Sequence, residues 1–189
     1  MRRRRAGFTL LEIMIVIVIM GMIAGIAIPQ MNNLFQVNLK SSLRKLSGAV
    51  LFSFNQAVIK QTPIRLNFDL LTGEYWLSYL VVNGQTGEFV AVPNDVFQGD
   101  QLPPGVSFKD ILTPHSFEKK TTGEEYIMFY PTGFAERTVI HVGTERGEVY
   151  TMVIKPLTGK TIVYDREVDF MDLGPQYSGN NQDSGGFGQ

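Results

Sequence analysis

Ile13–Ile28 is a run of sixteen residues without one polar side chain. Phe8–Glu12 extends it to 21 residues, interrupted only by Thr9 and Glu12. A helix that spans a bilayer takes roughly 20 residues, so this run predicts a membrane helix. Arg2–Arg5 precede it. Clustered basic residues stay on the cytoplasmic side, which places everything after Ile28 on the other side. A removable secretory signal shares this outline, and Gly25-Ile26-Ala27 would serve as its small-x-small cleavage site. Glu12 argues against that reading. A carboxylate inside a spanning segment costs about 2.5–3.5 kcal/mol on insertion scales, and a discarded segment has no reason to carry it.

The remainder suits one domain with a real core: 189 residues in all, 44% of them apolar. The chain has no cysteine, which excludes disulfides, thiolate metal sites and a cysteine nucleophile. Its 17 basic and 18 acidic residues give a net charge of −1. Without Arg2–Arg5 the balance is 13 against 18, or −5, so the rest of the chain has no general basic character to attract nucleic acid.

After Pro29 the pattern becomes amphipathic. Leu39, Leu43, Leu46, Val50, Phe54 and Ala57 follow a 3.6-residue period. Pro63 disfavours helical geometry at the residue before it, so the helix is predicted to end near Gln61. Short strands follow at Ile64–Asp69, Glu74–Val82, Phe89–Val92, Val106–Ile111, Tyr126–Tyr130, Thr138–Val142, Val149–Ile154 and Thr161–Tyr164. Asn83-Gly84 is a hairpin signal, and Asn94–Gly105 reads as loop. Seven or eight strands, give or take two, without a second long helix, predict an α+β fold. In it the long N-terminal helix packs on an antiparallel β-sandwich or folded sheet. Residues 172–189, rich in Gly, Ser, Asn and Gln, read as a flexible tail.

Gly7-Phe8-Thr9-Leu10-Leu11-Glu12 followed by the apolar run resembles the processing motif of type IV prepilins and type II secretion pseudopilins. The resemblance implies a leader, residues 1–7, that a prepilin peptidase removes after Gly7 on the cytoplasmic side. It implies methylation of the new amino terminus at Phe8 and retention of Glu12. Residues 8–29 would then be the transmembrane and filament-core helix, 30–62 the amphipathic helix and 63–171 a periplasmic β-domain. Glu12 lies one turn from Phe8 on the same face. Within the helix it would pair with its own Phe8 amine; the family implies instead the amine of a neighbouring subunit. Gly21 and Gly25 form a GxxxG, which allows close helix packing, although glycine is also simply common in membrane helices. Pro29 is expected to kink or loosen the helix. The implied partners are other pseudopilins, the peptidase, an inner-membrane assembly platform and membrane lipid.

Phe129-Tyr130-Pro131-Thr132-Gly133 and Pro156-Leu157-Thr158-Gly159-Lys160 resemble stretches of the H-type minor pseudopilins and their FimT-like pilin relatives. The function this implies is that of a minor pseudopilin, a structural subunit of the type II secretion pseudopilus. The alternative is a minor type IV pilin, with DNA uptake as a variant. Both motifs also read as generic turn sequences.

Sites for chemistry are scarce. Asp183-Ser184-Gly185-Gly186 resembles a protease nucleophile region but lies in the tail, where no rigid shell could hold it. His115 and His141 lack metal spacing, and His141 reads as a surface or edge residue. Asp165, Glu167 and Asp169 alternate along an extended segment, which reads as a solvated strand rather than a curved calcium loop. Lys119, Lys120 and Arg137 are the best candidates for contact with DNA and read as scattered surface charges. We therefore expect no catalysis, no cofactor, no metal and no nucleic acid.

Overall fold

The computed structural model describes residues 9–91, 97, 99–116 and 118–173, without the side chains of 26–38. Gly7, Phe8, Val92 and all of the predicted tail (172–189) beyond Leu173 therefore lie outside the described residues, as does Asp183-Ser184-Gly185-Gly186. A single helix, α1, runs Leu10–Lys60 and enters both of the compact units into which the chain divides, residues 1–38 and 39–189.

In the first unit, Thr9 starts the helix: its hydroxyl accepts the Glu12 amide at 3.3 Å and its carbonyl the Glu12 and Ile13 amides. These are the bonds of an N-cap. The side chains from Leu10 to Gly25 are exposed throughout. Among the described residues no helix is long and apolar enough to cross a membrane. Pro29 does not break the helix.

The second unit is helix and two antiparallel sheets. The predicted stripe is buried: Leu39, Leu43, Leu46, Val50 and Ala57 are each at most 4% exposed, and Phe54 packs half-buried against them. The helix ends with Gln61 in the left-handed region (φ 50°) and the Thr62 amide bonded back to the Ala57 carbonyl. That bond closes the last turn before Pro63.

Sheet A contains β1 (Ile64–Asp69), β2 (Glu74–Asn83), β3 (Thr86–Ala91), β4 (Asp100–Gln101), β6 (Glu124–Tyr130) and β7 (Phe134–Ala135). Its order is β3-β2-β1-β6-β7, with β4 also paired to β2. Sheet B has the order β10-β9-β8-β5, from β5 (Val106–Leu112), β8 (Val139–Thr144), β9 (Val149–Ile154) and β10 (Thr161–Tyr164). The alternation of β1 is kept, with Ile64, Leu66 and Phe68 inward. One core joins the helix stripe to Leu66, Phe68, Ile127 and Phe129 of sheet A and to Ile111, Ile140, Met152 and Ile154 of sheet B.

Some strand boundaries differ from the sequence reading. The β2–β3 hairpin pairs Asn83 with Thr86, so its loop is Gly84-Gln85, one residue later than Asn83-Gly84. Gly84 at φ 67° takes the first loop position, where a type II′ turn needs a positive φ. This moves β3 to Thr86–Ala91. The stretch read as loop, Asn94–Gly105, contains the two-residue strand β4. Two residues are too short to leave a periodic signal.

Candidate functional site

Glu12 is the acid in the first turn of α1 and is exposed. A carboxylate there faces the unpaired amides at the positive end of the helix. Around it Leu10, Leu11, Ile13 and Met14 are 82, 70, 47 and 61% exposed. The site is thus one negative charge at the head of an unpartnered apolar helix. A Cβ on Gly21 or on Gly25 would meet nothing within 4 Å, so the GxxxG face lies open. Such a surface fits a cation in apolar surroundings and other apolar helices.

The two turn motifs of the β-domain converge on α1. Gly133 (φ 78°) closes the turn after β6 through its amide to the Tyr130 carbonyl, and a Cβ on it would touch Val58 at 4.0 Å. Gly159 (φ 61°) lies against Phe54, one helical turn before Val58. Both motifs therefore seat turns on adjacent helix residues.

The ionisable residues are not scattered as read. His141 is fully buried, not at the surface or an edge. Strand β8 is buried along its whole length because the segment after β10 covers its second face. A bulge at Lys109 breaks the β5–β8 register between Phe108 and Asp110 and puts Asp110 opposite His141. The His141 Nδ1–H donates to Asp110 Oδ1 at 2.6 Å, and Nε2–H to the Val168 carbonyl at 3.3 Å. Burial opposes charge on this imidazole, but the Asp110 bond and charge outweigh it and hold its pKa above the ordinary histidine value. Sequence reasoning missed Asp110, since no linear pattern announces a bulge.

Asp165, Glu167 and Asp169 do not form a solvated strand. β10 stops at Tyr164, and Lys119 Nζ lies 3.2 Å from Glu167 and 2.9 Å from Asp169. These contacts raise the Lys119 pKa, the Asp169 bond most. Lys119 is therefore neutralised internally, and Arg137 lies over the Phe170 ring at 5.0 Å. Asp110, His141 and Glu167 bring three potential ligand atoms within 4.8 Å of one another. Lys119 already supplies the cation there, and both nitrogens of His141 are engaged. We read the cluster as an ion-pair network rather than a metal centre. His115, the other histidine, faces Glu125 at 2.8 Å and Glu136 at 3.2 Å and stacks on Tyr126.

Residues 2–28 match the prokaryotic N-terminal methylation motif. No curated protein matches the chain. Among solved structures the chain is similar to the minor pseudopilin EpsH of the type 2 secretion system of Vibrio cholerae. One structure of that protein aligns at TM-score 0.53 with 13% identity, covering 70% of this chain and 99% of the other. A second aligns at TM-score 0.51 with 13% identity, covering 70% and 97%. At that identity the likeness is one of fold.

Proposed function

We propose that the chain is a minor pseudopilin of the type IV pilin and pseudopilin family, a reading supported by its N-terminal methylation motif and the likeness of its fold. In this reading it is a structural, non-catalytic subunit of a type II secretion pseudopilus. Prepilin peptidase cuts between Gly7 and Phe8, the Phe8 amine is methylated, and the helix anchors the subunit in the inner membrane with its β-domain in the periplasm. An assembly platform then draws it into a filament with major and minor pseudopilins.

One observation carries this reading. A single helix presents an unpartnered apolar surface over Leu10–Gly25, with one acid in its first turn, and then buries a stripe from Leu39 to Ala57 in a β-domain. The exposed half suits lipid before assembly and neighbouring helices afterwards. Glu12 would neutralise an incoming Phe8 amine and set the axial register of the subunits. The alternative is a minor type IV pilin of FimT-like kind, with DNA uptake as a variant. It is favoured less because Lys119, a leading candidate for a phosphate contact, is held by Glu167 and Asp169. N-terminal mass spectrometry of membrane-extracted protein tests the proposal. A methylated Phe8 terminus is expected; a soluble form starting near Ile28 overturns it. Binding of the purified protein to duplex DNA at two salt concentrations separates the two functions.

A further inference from the structure

Strand β10 ends at Tyr164, yet the chain stays on sheet B to Leu173. Val168 and Leu173 are buried against Val139 and Val153, with Leu112, Tyr164 and Phe170 around them. This small cluster lies on the face of sheet B away from the main core: Val139 and His141 alternate with the core residues Ile140 and Val142. Polar contacts from Thr151, His141 and Lys119 fasten the segment. The Thr151 hydroxyl donates to the Arg166 carbonyl at 2.6 Å and accepts the Val168 amide at 3.0 Å. The His141 Nε2–H donates to the Val168 carbonyl. Lys119 grips Glu167 and Asp169 from outside.

We propose that residues 165–173 are a strap over the outer face of sheet B, fastened by a proton on His141. A neutral imidazole has one N–H, and this ring faces an acceptor at each nitrogen. Only the doubly protonated ring serves both the Asp110 carboxylate and the Val168 carbonyl. Losing the proton leaves one of these two buried bonds unmade, and Asp110 at the shorter distance holds the remaining N–H. The strap therefore loses the bond from His141 to the Val168 carbonyl, while Thr151 and Lys119 keep theirs. The charged groups around the ring are Asp110 from β5, Lys119 from the β5–β6 connection, and Glu167 and Asp169 from the strap itself. On the neighbouring strands Thr151 of β9 stands opposite His141, and Tyr164 of β10 opposite Thr151. The folded pKa lies above the ordinary value, so fastening is complete below the ordinary histidine pKa and is lost as pH rises through the raised one. Release uncovers Leu112, Val139 and Val153. The inference is independent of which filament the chain joins.

Amide hydrogen exchange of the full chain in detergent micelles, followed by mass spectrometry from pH 5.5 to 9, tests this. Rates are normalised for intrinsic exchange, and β1 peptides serve as an internal reference. We expect the opening constant of peptides covering 165–173 to rise by about tenfold or more across the titration of His141, as for loss of a charge-assisted bond. In H141Q the opening should be high and independent of pH. D110N, which keeps the side-chain volume, should shift the rise to lower pH and serves if H141Q does not fold. T151V should open the strap at every pH and keep the slope. A wild-type opening constant that does not change with pH, or a wild-type profile retained in H141Q, overturns the proposal. So does a D110N profile with the rise unmoved.

Discussion

Phe54 of α1 occupies the space that a side chain on Gly159 would need: a Cβ built there comes within 2.6 Å of the Phe54 Cβ. The β9–β10 turn is thereby seated on the helix, and Thr161 reinforces it with a 2.8 Å hydrogen bond to Ser47. Gly159 also holds φ 61°, which side chains rarely adopt.

G159A should therefore destabilise the protein twice over. The left-handed backbone costs about 1–2 kcal/mol, and overpacking against Phe54 adds about 1–3 kcal/mol. G84A is the control: Gly84 has φ 67° with nothing within 4 Å of its Cβ, so only the backbone cost applies. Urea denaturation of both variants checks the difference. Equal losses would mean that Phe54 yields freely.

The stripe from Leu39 to Ala57 belongs to the core, whereas the side chains of Leu10–Gly25 are exposed among the described residues. Removing residues 1–29 should leave a soluble, folded, β-rich protein. Removing residues 1–61 should expose both sheets and cause aggregation. L46A, at a fully buried position, should cost about 2–5 kcal/mol. Thermal melts of these proteins decide the matter: equal stability after the longer deletion would refute the packing.

Processing and assembly should separate genetically. G7A should leave precursor uncut, as read from its mass. E12A should be cleaved normally and reach normal membrane levels, because it removes a charge that would be costly within lipid. It should fail to crosslink to neighbouring subunits, and E12D should crosslink in part. Equal crosslinking in E12A would leave helix packing alone to set the register.

Lys45 on α1 and Asp100 on β4 form a 3.0 Å ion pair. Burial pushes the Asp100 pKa up, but the Lys45 bond, the Gln101 amide and the Tyr75 hydroxyl prevail, and the net shift is downward. A lowered folded pKa contributes stability above the ordinary carboxylate value, lost as pH falls through the folded one. Both side chains are more than a third exposed or close to it, so screening limits the effect to about 0–1 kcal/mol. D100N should be slightly less stable than wild type at pH 7 and equal to it near pH 2, measured by urea midpoints. A gap that persists at low pH would refute the linkage.

Local features of the chain determined much of this protein. The run after Glu12, the stripe from Leu39 to Ala57, the alternation of Ile64–Asp69 and the stop before Pro63 each act through nearest neighbours along the backbone. Periodicity therefore reports them directly. The tertiary structure alone decided the surroundings of the ionisable residues. His141 is buried because a segment 27 residues later crosses its strand, and Asp110 meets it because a bulge shifts one register step. Lys119 is neutralised by acids about 50 residues away. Pairings at such distances depend on which faces the folded sheets bring together, and no local propensity encodes that. The same holds for Gly133 and Gly159: their turns were legible, but their seats on Val58 and Phe54 exist only once the helix lies across the sheets.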